Sequence, residues 1–187
     1  MRLFAALDLP NEQKRLLSAL RRTIAGVIWY PPESYHLTLR FIGEVRARPL
    51  LEEIDHALAG INAAPVTVEL SGVGIITQAG RSRLWAGLAP SDSLSTLQSR
   101  VEAALRRAGL SAEKRRFQPH VSLGVFQGEP GPDIVRWIQN HNLLRSASAE
   151  IGHITLFHSH KTNDEPHYEA CADYPLTLHA YTPVRAE

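Results

Sequence analysis

A histidine followed two residues later by a hydroxyl, inside an otherwise apolar run, occurs in Tyr35-His36-Leu37-Thr38-Leu39-Arg40-Phe41-Ile42-Gly43-Glu44 and again in Phe117-Gln118-Pro119-His120-Val121-Ser122-Leu123-Gly124. Successive side chains of a strand point to opposite faces. His36 and Thr38 are therefore expected on one face, with Leu37, Leu39 and Phe41 on the other. His120 and Ser122 repeat the arrangement, backed by Val121, Leu123 and Val125. Two half-polar strands, each offering an imidazole and a hydroxyl, have the parts to hold a phosphate from both sides.

The surroundings of the two stretches correspond as well. Leu84-Trp85-Ala86-Gly87-Leu88 matches Leu3-Phe4-Ala5-Ala6-Leu7; Leu3 precedes His36 by 33 residues and Leu84 precedes His120 by 36. Pro49 follows His36 by 13 and Pro132 follows His120 by 12. Each half reads strand, helix, histidine strand, helix, strand, which predicts an α+β fold of duplicated β-α-β-α-β units. The first unit covers about residues 1–80, the second about 81–159, and 160–187 forms an extension within one bilobal domain. Two antiparallel or mixed sheets then face a central cleft, with helices outside.

Element by element, the predictions are a strand over Arg2–Leu9 and a helix capped by Asn11 that carries Leu16, Leu17, Leu20 and Ile24. A helix opens at Pro49, and a strand at Val66–Leu70 continues through Gly72 and Gly74 with a bulge. The helix of the second unit is capped by Ser91 or Asp92. Pro132 opens another, with Ile134, Val135 and Ile138 on its apolar side, and Glu150–Phe157 is a strand. A polar turn at Lys161–Pro166 and a late strand at Leu176-Thr177-Leu178 close the chain.

Composition narrows the classes. At 187 residues there is material for one well-buried core. A net charge of +1 argues against a highly basic nucleic-acid coat. The 17 Arg against 3 Lys suit phosphate contacts or follow from genome composition. One cysteine, Cys171, excludes an intrachain disulfide and any cysteine-based zinc cluster. The apolar run Leu3–Leu7 meets Asp8 before reaching the length of an export signal, and no stretch approaches the roughly 20 apolar residues of a membrane span. A cytoplasmic protein is expected.

Two histidines on opposite walls of a cleft can divide acid and base work, and phosphodiester hydrolysis needs that division. Thr38 and Ser122 would donate to the non-bridging oxygens, and the scheme requires no metal. One His-x-Thr alone is weak evidence, since such tripeptides arise on any strand surface. His153-Ile154-Thr155 also fits the pattern, but its counterpart in the first repeat, Val66–Leu70, has no histidine. His158, His160, His167 and Cys171 could hold zinc, yet their spacings fit no familiar cluster, and solvated loop histidines are the better reading. Lys114-Arg115-Arg116 guides an RNA backbone or forms a solvated turn. Trp29 and Trp85 read as core, while Tyr30 and Tyr35 could stack on a base.

Together these residues resemble the RNA 2',3'-cyclic phosphodiesterases, historically called 2'-5' RNA ligases, of the two-histidine phosphoesterase superfamily. The resemblance runs from Arg2-Leu3-Phe4-Ala5-Ala6-Leu7 through His36-Leu37-Thr38-Leu39, Phe41 and Gly43-Glu44 to Phe117-Gln118-Pro119-His120-Val121-Ser122-Leu123, and less clearly to Leu156 and Ser159. It implies a bilobal fold and no cofactor or metal. The implied reaction opens a terminal 2',3'-cyclic phosphate on RNA to a 2'-phosphate. His36 would be the proton donor to the leaving 3' oxygen, His120 the proton acceptor that activates water, and Thr38 and Ser122 the phosphate contacts. The partners are RNA ends or nucleotides, and a monomer is expected.

Family members often carry an Arg five residues after the second histidine, where this chain has Val125. Arg40 is a candidate replacement or a structural residue. Tyr35, Arg116, His158 and Tyr168 are further candidate substrate contacts. Competing readings are another phosphodiester substrate, 2'-5' ligation, an RNA-end binding module with weakened catalysis, and a zinc hydrolase built on the C-terminal histidines.

Overall fold

The computed structural model describes residues 1–160 and 166–178. The elements in chain order are β1 Arg2–Asp8, α1 Asn11–Ser18, β2 Ile28–Trp29, β3 His36–Glu44, α2 Arg48–Ala59, β4 Val66–Val68, β5 Leu70–Gln78, β6 Arg81–Leu88, α3 Asp92–Arg107, β7 His120–Gln127, α4 Pro132–His141, β8 Ala149–Ile151, β9 His153–His160 and β10 His167–Pro175. The strands run β10-β9-β1-β3-β7-β6-β5, with β2 also beside β7 and a separate ribbon of β4 with β8. All these pairings are antiparallel. The fold is α+β.

The succession β1-α1-β3-α2-β4-β5 recurs as β6-α3-β7-α4-β8-β9, and the two successions exchange strands. β5 pairs with β6, and β9 pairs with β1. Between the halves the sheet narrows to one residue pair, Leu37 opposite Val121. β3 leaves β7 there because β2 takes over its edge: Ile28 lies opposite Val125, Trp29 opposite Gly124, and the Tyr30 N–H donates to the Leu123 carbonyl at 2.9 Å. Gly124 permits this approach, since a Cβ there would stand 2.8 Å from the Ile28 carbonyl oxygen. The antiparallel sheet thus parts into two wings that meet beside His36 and His120.

One face of the sheet carries Leu3, Ala5, Leu7, Leu37, Leu39, Leu84, Ala86, Val121 and Leu123 into the main core, against Leu17 of α1, Ile54 and Leu58 of α2 and Leu94, Leu97, Val101 and Leu105 of α3. Each fully buried leucine contributes roughly 1.5–3 kcal/mol by leaving water. The Ser91 side chain caps α3 by accepting from the Leu94 N–H at 3.2 Å. The opposite face holds a second, small cluster of Phe4, Ala6 and Phe157, with Tyr168 packed against it.

Several elements differ from expectation. α1 stops at Ser18, short of Leu20 and Ile24, and closes with tighter bonds from the Leu20 N–H to the Leu17 carbonyl and from the Arg21 N–H to the Ser18 carbonyl. Val135 is exposed, and Ile134 and Trp137 instead anchor α4. Leu176–Leu178 is not a strand; the strand precedes it, at His167–Pro175. As an edge strand, β10 exposes most of its side chains, so no apolar alternation marks it in the sequence. Most of the polar turn, 161–165, lies outside the described residues. Among the described residues no helix is long and apolar enough to cross a membrane.

Candidate active site

Leu37 and Val121 face the core, so His36, Thr38, His120 and Ser122 all project from the opposite face of the sheet. Antiparallel register around the single bridging pair turns His36 toward Ser122 and His120 toward Thr38. Along each strand histidine and hydroxyl stand roughly 6–7 Å apart, the span of one phosphate group. Neither hydroxyl has a hydrogen-bond partner among the described residues.

Both rings are fixed the same way. Nδ1 of His36 lies 2.7 Å from the Ser34 carbonyl, and Nδ1 of His120 lies 2.7 Å from the Gln118 carbonyl. A carbonyl can only accept, so each Nδ1 carries its proton and each Nε2 is left for chemistry. An aromatic residue from the neighbouring strand packs beside each ring: Phe4 at 4.7 Å between centroids for His36, and Trp85 at 6.3 Å for His120. His36 is further enclosed by Tyr168, edge-on at 4.9 Å, and by Phe157 at 5.6 Å. This burial lowers its pKa from the ordinary histidine value to about 4, with the charges of Lys14 and His120 adding to the effect against the Ser34 hydrogen bond. Lys14 is itself held by Asp8 at 2.6 Å.

Two bulges decide what else reaches this face. In β3, Ala6 pairs with Thr38 and Ala5 with Arg40, which leaves Leu39 as the extra residue. Alternation is reset, and Arg40 turns to the helix side. There its guanidinium meets Glu102 of α3 at 2.5 Å, the Ser111 carbonyl at 2.5 Å, the Phe41 carbonyl and Glu113. Arg40 is 8% exposed and is a structural residue, not the phosphate contact considered from strand parity. Phe41, expected on the apolar back, comes to the cleft side opposite Phe4 and is 49% exposed, with the Arg115 guanidinium 5.9 Å above its ring.

In β7 the extra residue is Leu123, three positions after His120 just as Leu39 is three after His36. Val125 is thereby moved off the core side to the cleft side, opposite Arg83 of β6. Arg83 shares that face with Trp85, and its positive charge acts on the Tyr168 hydroxyl against the effect of burial. It is exposed and makes no ion pair among the described residues. Sequence reasoning missed it; the signal was its place beside Trp85 in a strand matching Arg2–Leu7.

The remaining candidates separate. Tyr35 is fully buried in the core, where desolvation raises its hydroxyl pKa to about 12, so it cannot stack on a base. Trp85, expected in the core, lies half-exposed on the cleft side over Gly74, where a Cβ would come within 2.5 Å of its ring. Tyr168 borders His36, and burial raises its hydroxyl pKa to about 12, so it stays neutral. Arg116 is exposed in the segment before β7. His158 and His160 lie on β9 rather than a loop and on the face away from His36, since Phe157, one residue before His158, faces His36. Thr155 donates to Asp173 at 2.6 Å, and the row Thr155–Ala6–Thr38 places its motif two strands, about 10 Å, from Thr38. A hollow of about 500 Å3 lies beside Arg40, Ile42 and Glu113, roughly 13–20 Å along β3 from His36, and neither histidine lines it.

A family model described as the 2'-5' RNA ligase superfamily matches residues 9–179. An RNA 2',3'-cyclic phosphodiesterase of Aeropyrum pernix is 32% identical over 158 residues, 83% of this chain and 89% of that protein. One from Geobacillus stearothermophilus is 29% identical over 92% of this chain, which spans 56% of that longer relative. Among solved structures, E. coli LigT complexed with 3'-AMP superposes with a TM-score of 0.75 at 22% identity, covering 95% of this chain and 98% of LigT.

Proposed function

This chain belongs to the 2'-5' RNA ligase superfamily, and we propose that it uses water to open the 2',3'-cyclic phosphate at an RNA end, leaving a 2'-phosphate, without a metal. The observation that carries this reading is the pair of imidazoles, each with Nδ1 bound to a carbonyl, on the same face of the sheet as the Thr38 and Ser122 hydroxyls, which have no hydrogen-bond partner among the described residues. In the reaction a water oxygen bonds to phosphorus and the P–O3' bond breaks. His120 Nε2 takes the proton of the water, and His36 Nε2 gives one to the departing O3'. Thr38 and Ser122 donate to the non-bridging oxygens, and Arg83 stands where the Val125 position has no cation of its own.

The donor role of His36 depends on the substrate. By itself the chain holds this ring neutral down to about pH 4. A phosphodiester anion within about 4–6 Å raises a histidine pKa by roughly 1–3 units, so the substrate brings its own acid into the protonated range. Trp85 and Phe41, both open to the cleft side, offer faces on which the terminal bases can stack.

The test is an RNA ending in a 2',3'-cyclic phosphate, incubated with EDTA and analysed for 2'- against 3'-phosphate. A 2'-phosphate product is expected, with His36→Ala and His120→Ala each slower by about 100- to 10,000-fold. Absence of product, or full activity in both variants, would refute the reading. Tight binding of the product end without turnover would favour a binding module.

A further inference from the structure

We propose a second, independent site: a transition-metal site of the zinc class on the outer face of the β9–β10 edge, formed by His158, His160 and Glu169 with His167 beside them. His158 and His160 are two residues apart on β9 and so share a face, and Glu169 is the direct cross-strand partner of His158. The Glu169 carboxylate oxygen is 2.9 Å from His160 Nε2 and 4.0 Å from His158 Nδ1. One ligand atom from each of the three lies within 4.8 Å of the others. The imidazoles of His158 and His160 are 4.1 Å apart, and that of His167 is 5.2 Å from His160.

Tetrahedral zinc with bonds of about 2.0–2.2 Å needs ligand atoms about 3.3–3.5 Å apart. The 2.9 Å and 4.0 Å separations bracket that value, and the exposed Glu169 side chain is free to adjust. Two nitrogens and a carboxylate are a donor set for zinc, nickel or copper rather than for magnesium or calcium. Metal entry at His160 Nε2 replaces its hydrogen bond to Glu169, and the ring binds as the neutral tautomer with its proton on Nδ1. A strand aligns ligands at intervals of two, which is why the spacing of His158 and His160 fits no familiar helical or cysteine-based cluster.

The site has a structural consequence. Tyr168 sits between His167 and Glu169 and points through the strand to the other face, where it packs against His36. An ion bound by His158, His160 and Glu169 clamps β9 to β10 under that tyrosine. It takes no part in the proposed hydrolysis, because the ligands face away from His36 and His120.

The experiment is zinc titration calorimetry on the full chain, freed of any affinity tag and stripped with EDTA, paired with thermal unfolding with and without zinc. One zinc per chain with micromolar or tighter affinity is expected, together with a rise in Tm. His160→Ala and Glu169→Ala should each weaken binding at least tenfold and lose the Tm rise, with unchanged Tm in EDTA because these positions are partly or fully exposed. The double variant His36→Ala/His120→Ala should bind as the parent does. Failure to bind one equivalent, binding unaltered in His160→Ala and Glu169→Ala, or binding lost only in the double variant would each overturn the proposal.

Discussion

Removing Tyr168 should release the constraint that keeps His36 neutral. Burial is the largest cause of its lowered pKa, and three rings produce it: Phe4 at 4.7 Å, Tyr168 at 4.9 Å and Phe157 at 5.6 Å. The drop from 6.5 to about 4 corresponds to about 3 kcal/mol between the two protonation states. Opening one of three walls to water should return about a third of it, so Tyr168→Ala is expected to raise the His36 midpoint by about one unit. Tyr168→Phe keeps the wall and should leave it near 4. Histidine ring-carbon NMR followed against pH reads this directly, and a 2'-phosphorylated nucleotide added to the parent should raise the midpoint further. The same shift sets acid sensitivity. Between about pH 4 and 6.5 the unfolded chain takes up a proton that the folded chain refuses, so stability present above 6.5 falls with pH by about 3 kcal/mol toward pH 4. His36→Gln should remove that slope. A parent midpoint at 6.5, or one unmoved by Tyr168→Ala, would refute the burial argument.

Other substitutions separate the remaining roles. Arg83→Ala should lower kcat/KM on cyclic-phosphate RNA about 10- to 100-fold by removing a charged contact, with partial recovery in Arg83→Lys; steady-state kinetics at two salt concentrations checks it. Arg40→Ala leaves Glu102 and Glu113 without their buried cation and should cost about 3–5 kcal/mol in urea unfolding, while folded protein keeps its KM. His153→Ala should change turnover less than twofold, because its Thr155 partner is bound to Asp173 two strands away; a loss as large as that of His120→Ala would reassign the site.

The sequence by itself determined the alternation of apolar and polar residues, the repeat that makes His36 correspond to His120, and the hydroxyls at Thr38 and Ser122. These depend on period-two geometry over three residues, which holds wherever a strand is regular. It failed where the strand is not. The bulges at Leu39 and Leu123 shift the side chains that follow them to the other face, so Arg40 went to the core side and Phe41 and Val125 to the cleft, until a second bulge at Ile42 restores the alternation of β3. Nothing in either tripeptide announces a bulge, because the extra residue is fixed by register with β1 and β6. Tertiary structure alone also brought Tyr168 and Trp85 to the histidines from other strands, set Arg83 on the same face, and aligned His158, His160 and Glu169 across the β9–β10 edge. Such positions follow from strand order and pairing, which long-range packing decides. The paired histidines could be recognised locally; the charge and burial that tune them come from residues far away in the chain.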